Sequence, residues 1–205
     1  MKKYQKGIIQ KIFLQEIRFR DKDGSDFPKW RGEELGDVVK NYGGTSLEKY
    51  TSQAGGYKFI SIGNYTKEGK YVDDNQRIIL NEVTKNKKLN KGDLVMVLND
   101  KTASGDIIGS TILIDEDDKY IYNQRSERLV VRDGISSNFI WFILNSNSFR
   151  RKIIKISQGG TQIYVNFPVV KKIKINLPIL SEQQKIADFL TSMDKLIELK
   201  QQKIF

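Results

Sequence analysis

The stretch LPILSEQQKIADFLTSMDKLIELKQQKIF, residues 177–205, reads as a long amphipathic helix with no stop signal before the last residue, Phe205. Pro178 stands just outside its start, Ser181 takes the N-cap position, and Gln184 three residues on completes a capping-box pattern. Ile186, Phe189, Leu190, Met193, Leu196 and Ile197 then recur at spacings of three and four, which puts them on one face. Such a stripe needs an apolar surface to pack against, and the rest of the chain is read for that surface.

On the N-terminal side of this stripe, QIYVNFPVVKKIKINLP (162–178) is β-like and leads into the helix. Residues 137–157, SNFIWFILNSNSFRRKIIKIS, keep helical spacing through Phe139, Phe142, Ile143, Phe149 and Ile153, and Gly159–Gly160 ends them. Between Glu33 and Arg132 the period changes. Short runs rich in β-branched and aromatic residues (YKFISIGNY, RIIL, DLVMVL, STILI, YIYN, RLVVR) alternate with Gly, Asn, Asp and Lys clusters, the pattern of a β-rich domain. Asp115–Asp118 is expected to be the turn of a hairpin joining STILI to KYIY. RDKDGSDFPKWRG (20–32) is polar and Gly- and Pro-containing, a linker; Asp21, Asp23 and Asp26 lack the closing Glu of a calcium loop and read as a solvated turn. Residues 2–17 place Ile8, Ile9, Ile12 and Phe13 at helical spacing. The tetrapeptide QKIF occurs at 10–13 and again at 202–205, both times on a predicted amphipathic helix flanking the β-rich body. The long helix is therefore expected to pack on the first one, or on its counterpart in a second copy. The predicted class is α+β.

The 205 residues suffice for one substantial domain with a real core. Lys and Arg number 35 against 25 Asp and Glu, a formal charge of +10, which favours a polyanionic partner because each neutralised phosphate releases counterions. Cys and His are both absent, so disulfides, Cys-based redox chemistry and Ser–His or Cys–His nucleophiles are excluded, and the commonest zinc ligands with them. No apolar run approaches the roughly 20 residues of a membrane span. MKKYQKGIIQKIF lacks the apolar core of a signal peptide, and a cytoplasmic location is the default.

No phosphate-cradling G-x-x-x-x-G-K-[ST] loop and no G-x-G-x-x-G after a strand is present, and the Gly-Gly-Thr runs at 43–45 and 159–161 are too short to be nucleotide sites. Glu68 and Lys70 form an E-x-K pair but lack an acidic partner, a weak basis for a metal-dependent nuclease. Charge distribution says more. Between Gly134 and Ser181 no acid occurs, while Arg150, Arg151, Lys152, Lys155, Lys171, Lys172 and Lys174 do, so one strongly positive face is expected. Within that run SQGGTQIYVNF offers Gln158, Thr161, Gln162, Tyr164 and Asn166 on a Gly-flexed loop. Amide side chains can pair with adenine and Arg or Lys with guanine, and the Gly pair lets backbone approach phosphate. A second candidate loop, VLNDKTASGDIIGS (97–110), carries Asn99, Lys101, Thr102 and Ser104; an ordinary hairpin loop fits it equally well. In NQRSER (123–128), Arg125 and Arg128 reach phosphate or pair with Glu127.

Together these segments resemble the specificity subunit of type I restriction–modification systems. The resemblance rests on WRGEELGDVVKNYGGTS, KGDLVMVLNDKTASGDIIGSTILI, YIYNQRSERL, SQGGTQIYVNF and LPILSEQQKIADFLTSMDKLI, and runs from Lys2 to the end. It implies a tail of a preceding spacer helix (1–19), a linker (20–32), one target recognition domain (33–178) and the start of a conserved spacer helix (179–205). Such subunits have two recognition domains, each reading half of a bipartite DNA sequence, with the helices as a ruler between them. Half of that apparatus is missing here, so a C-terminal fragment or a half-size subunit that dimerises is expected, the mid-helix end favouring the fragment. The resemblance further implies double-stranded DNA as partner, modification subunits that use S-adenosylmethionine to methylate adenine, and a restriction subunit using ATP and magnesium. This chain itself would be non-catalytic, with no cofactor or metal of its own. Self-association is implied through Ile8, Ile12, Phe13, Ile186, Phe189, Leu190, Met193, Leu196 and Ile197. The competing readings are a stand-alone nuclease using Glu68 and Lys70, or an RNA-binding or structural assembly protein.

Overall fold

The structure, a computed structural model, describes residues 2–202. The second QKIF runs into 203–205, outside the described residues, so only its first copy has a place in the fold. In chain order the elements are α1 (Lys2–Phe13), β1 (Arg31–Glu34), α2 (Leu35–Val38), β2 (Val39–Gly43), β3 (Thr51–Ser52), β4 (Tyr57–Ile60), β5 (Arg77–Ile78) and β6 (Leu94–Val97). There follow β7 (Asn99–Asp100), β8 (Thr111–Leu113), β9 (Tyr120–Tyr122), β10 (Ser126–Val131), α3 (Ser137–Leu144), α4 (Asn147–Ile156), β11 (Gln158–Gly159), β12 (Ile163–Tyr164), α5 (Phe167–Val170), β13 (Lys174–Leu177) and α6 (Leu180–Gln202). This is the α+β architecture expected, a sheet-rich body between a short first and a long last helix.

The run DLVMVL shows why the body has two cores. Successive strand side chains point to opposite faces, so β6 sends Leu94 and Met96 into a core shared with the helices and Val95 and Val97 into a second one. All four are buried. The sheet runs β2-β10-β6-β8, antiparallel throughout. Behind Leu94 and Met96 lie Phe139, Ile140, Leu144, Ile153, Ile186 and Leu190. Behind Val95 and Val97 lie Ile60, Tyr65, Leu89, Ile112, Tyr120 and Tyr122. A second sheet, β3-β5-β4-β9, and the pair β1-β13 complete the body.

The structure departs from the sequence reading at several joints. STILI and KYIY form no hairpin: β8 pairs with β6, whereas β9 runs parallel to β4. All of Tyr120–Tyr122 is buried, and alternation sends Tyr120 and Tyr122 to one core and Ile121 to another, which a hairpin with β8 would not allow. The helical stretch 137–157 is two helices. Asn145 bonds the backbone of Thr111 and the carbonyl of Trp141 instead of continuing the turn, and Ser146 restarts it as N-cap, accepting from Phe149 N at 3.3 Å. Within 162–178, Pro168 opens the short helix α5 between two strands. The first helix stops at Phe13, where Gln15 adopts φ +59° and Glu16 N reaches Lys11 O at 2.9 Å, a left-handed helix stop. The linker is only half a linker: Phe27 is buried and Trp30 packs edge-on against Phe139 at 5.9 Å. Finally, α6 starts at Leu180, so Ser181 and Gln184 do not form the expected capping box; Gln184 turns to Asp188, and its neighbour Gln183 binds the Pro178 carbonyl instead.

Candidate nucleic-acid interface

Two loops that the sequence keeps far apart are joined in one small sheet, β11-β12-β7. Ile163 pairs with Asp100 and Tyr164 with Asn99, while Gln158 pairs with Tyr164 across the hairpin. The hairpin depends on Gly159: its φ is +104°, and a Cβ there would lie 2.2 Å from the Gln162 carbonyl oxygen. Ile163 anchors this sheet in the main core. Its other side presents Gln158, Thr161, Gln162, Tyr164 and Asn166 from one loop and Lys101, Thr102 and Ser104 from the other, all exposed, with Asn99 half-buried beside Tyr164.

Asp100 sets the shape of the second loop. Its buried carboxylate accepts from Ile107 N (2.6 Å), Ile108 N (3.3 Å), Thr102 N (2.9 Å) and Thr102 Oγ1 (2.9 Å). Burial opposes its ionisation, but the hydrogen bonds from Ile107, Thr102 and Ile108 outweigh burial and hold the carboxyl below the ordinary carboxylate range. Thr102 and Ser104 also contact each other through their hydroxyls at 2.9 Å, so both are preordered. Asp100 was not among the residues picked out of this loop from the sequence; its role is to hold backbone.

The surface extends sideways through backbone bonds. Leu98 O accepts from Val165 N, and Leu98 N donates to Arg125 O at 2.8 Å. Gln124 N donates to Thr45 O, and Gly44 N to Ser126 O. Arg125, at φ +65°, and Thr45 and Ser46 thus stand beside the loop sheet, and all three are exposed. The 43–48 turn, not among the candidates read from the sequence, adjoins this surface. Its signal is Gly44, where a Cβ would lie 2.0 Å from the Asn123 carbonyl oxygen. Hydrogen bonds from Asn123 (2.8 Å) and Ser46 (2.7 Å), opposed by burial, bring the Glu48 pKa to about 2 and clamp the turn.

The acid-free run does not form one uncompensated positive face. Arg150 points back into the protein: it donates to the Asp106 carbonyl at 3.0 Å, and burial lowers its pKa to about 10. It braces the second loop from behind, because Asp106 is itself paired with Lys67 at 2.8 Å. Arg151, Lys152 and Lys155 line a cleft of about 700 Å³ between α1, α4, α6 and the 66–70 turn, where Glu68, Asp194 and Glu198 supply acids from elsewhere in the chain. Lys152 also bonds the Lys174 carbonyl at 2.8 Å. Of the proposed DNA contacts, Arg150 therefore supports the second loop from behind, and Arg151 and Lys155 line the cleft. Arg128 is bound to Asp93 at 2.8 Å rather than to Glu127. Glu68 and Lys70 belong to the same cleft, Lys70 ion-pairing with Glu198.

The apolar stripe of α6 packs mainly within the chain. Gln5 bonds Asp194, Phe19 packs on Phe189 at 5.4 Å and Arg18 pairs with Glu182, so the first segment runs antiparallel to α6. Ile12, Ile186 and Leu190 are fully buried and Ile197 nearly so; Ile8, Phe13 and Met193 are partly covered. These side chains serve an intrachain interface and are not free for a second copy. Leu196 and Leu199 face outward, each 56 % exposed, whereas Phe189, packed on Phe19, is only partly open to solvent.

The chain is 30 % identical over 210 residues to the specificity subunit of the type I restriction enzyme MjaVIII, and 25 % identical over 199 residues to that of MjaIX, both from Methanocaldococcus jannaschii. The alignments cover 98 % and 92 % of this chain but 49 % and 43 % of those proteins, so the chain spans less than half the length of the curated relatives it matches. The fold matches a chain from a type I R-M system assembly (TM-score 0.67, 16 % identity, 98 % of this chain and 47 % of that one). It also matches the HsdS subunit from Thermoanaerobacter tengcongensis (TM-score 0.66, 18 % identity, 98 % and 46 %). The family model of the type I restriction modification DNA specificity domain matches residues 28–204, which include the loop sheet and the whole of α6. The chain belongs to the type I restriction modification DNA specificity domain family.

Proposed function

We propose that this chain reads one half of a bipartite double-stranded DNA sequence as the specificity subunit, or half of it, of a type I restriction–modification complex. Adenine methylation and cleavage then fall to modification and restriction subunits carrying S-adenosylmethionine, ATP and magnesium, and this chain contributes no catalytic group. The observation that carries the reading is the β11-β12-β7 sheet, which brings two sets of hydrogen-bonding side chains onto one exposed surface. Family membership and the specificity-subunit relatives support it.

Affinity comes from cations meeting phosphate and selectivity from amides meeting base edges. Lys101→Ala is expected to weaken binding on every duplex alike and to lower the salt slope by about 1. Gln162→Ala is expected to cost about 1–3 kcal/mol on the preferred sequence only. The experiment maps methylated sites after co-expression with the modification subunit, then titrates cognate and scrambled duplexes by fluorescence anisotropy at several salt concentrations. Equal loss on both duplexes for Gln162→Ala refutes the base-reading role.

The second recognition domain joins through the outward face of α6, either from the rest of a longer chain or from a second copy. For the isolated chain, replacing Leu196 and Leu199 together by Asp should abolish concentration-dependent dimers in sedimentation while leaving the melting temperature unchanged, because neither side chain lies in the core. Dimers that survive the double substitution exclude this face.

A further inference from the structure

The root of α6 is gripped from two sides by polar groups that are almost wholly buried. Gln183 is 3 % exposed. Its Oε1 accepts from Ser136 N at 2.9 Å, the residue that caps α3, and its Nε2 donates to the Pro178 carbonyl at 2.8 Å. One residue earlier, the fully buried carboxylate of Glu182 receives Arg18 Nη2 at 2.9 and 3.1 Å. The same guanidinium nitrogen donates to the carbonyls of Phe27 (3.2 Å) and Pro28 (2.9 Å). A single helical turn is thus tied to the recognition domain through Gln183 and to the preceding chain through Glu182.

We propose that Glu182 and Gln183 are positioning residues that fix the angle between the recognition domain and the long helix, and so set the gap between the two DNA half-sites. The inference rests on the half-site reading above. Buried polar groups tolerate little misalignment because each lost partner leaves an unsatisfied atom in a low-dielectric interior, so they favour one geometry over near alternatives. Apolar contacts alone would permit the helix to roll or tilt. Leverage makes the angle matter: α6 has 23 residues and is about 34 Å long, so a tilt of about 10° at its root moves its far end by about 6 Å. One base pair in the gap amounts to about 3.4 Å of rise and about 35° of rotation. A root free to rock over that range would not distinguish adjacent gap lengths.

The test uses the full chain, whose lack of cysteine lets spin labels be placed at Lys195→Cys on the helix and Lys91→Cys on the domain, both exposed. Pulsed dipolar distances should form one narrow distribution in this protein and a broader, shifted one after Gln183→Met, which keeps side-chain length but neither bond. Arg18→Gln should broaden it as well, and Arg18→Lys should partly restore it. A distribution that stays narrow in folded Gln183→Met protein overturns the lock. The second arm assembles the methyltransferase complex and offers duplexes with the half-sites at graded gaps. Gln183→Met should spread methylation onto neighbouring gap lengths; the same single gap at a lower rate overturns the proposal, since loss of stability alone would do that. Wild-type complex that methylates no defined sequence refutes the DNA reading and its spacing consequence, while the distance measurement still judges the lock.

Discussion

Asp100→Ala should release the 101–108 loop while leaving the rest of the domain folded. The carboxylate accepts from three backbone amides and one hydroxyl, and Ile108 N is buried, so its removal strands donors that water cannot reach. Hydrogen bonds to a charged group contribute about 1.5–3 kcal/mol each and do not add fully, so a loss of about 3 kcal/mol is expected. That corresponds to a drop in melting temperature of about 2–4 °C per kcal/mol for a chain of this length. Amide hydrogen exchange should accelerate across 101–108, and the difference in affinity between cognate and scrambled duplexes should shrink, because β7 is the edge on which the 158–164 hairpin is registered. Unchanged exchange in the loop would rule this out. The lowered carboxyl pKa also fixes a pH dependence. The folded value lies below the unfolded one, so the contribution is fully present above the unfolded value near 3.9 and is lost as pH falls through the folded value. Asp100→Asn should lose stability at neutral pH and show a shallower further loss in acid.

Phe139→Ala is expected to have the largest effect on stability. The ring is fully buried and meets Phe13 of the first helix at 5.8 Å and Trp30 at 5.9 Å, both edge-to-face. Removing it deletes the transfer contribution, leaves a cavity and dissolves a junction of three segments, about 3–5 kcal/mol in all. Calorimetry should show the lowered transition, and limited proteolysis should cut first within residues 14–30, whose hold on the body includes Trp30 on Phe139 alongside the Arg18 and Phe19 contacts to α6. Phe139→Leu, closer in volume, should cost under about 1.5 kcal/mol. A proteolysis pattern identical to that of the parent protein would place the junction elsewhere.

Much of the architecture was legible locally. The stripe of α6 follows from a 3.6-residue repeat that nothing interrupts, and DLVMVL announces a strand covered on both faces because it has no polar side to show water. The two loops were legible as chemistry: Gly159 and the amides around it, and the small polar residues after Leu98. Local patterns did not reveal partners. Tyr120–Tyr122 read as a strand, but its choice of β4 over the adjacent β8 depends on which cores its alternate side chains fill. Asn145 ends a helix because Thr111 stands opposite it, and three of the run's seven cations, Arg151, Lys152 and Lys155, share a cleft with acids that arrive from α6 and the 66–70 turn.

Composition and spacing along the chain thus carried the type and order of the longer elements, the excess of cations and the absence of His and Cys, all properties of single residues or of spacings within a few turns. The folded arrangement alone joined the two candidate loops in one sheet, turned Arg150 to brace a loop from behind and set Gln183 at the root of the long helix. Pairing and burial are settled by competition among distant segments for the same core, and that competition leaves no periodic mark on the chain.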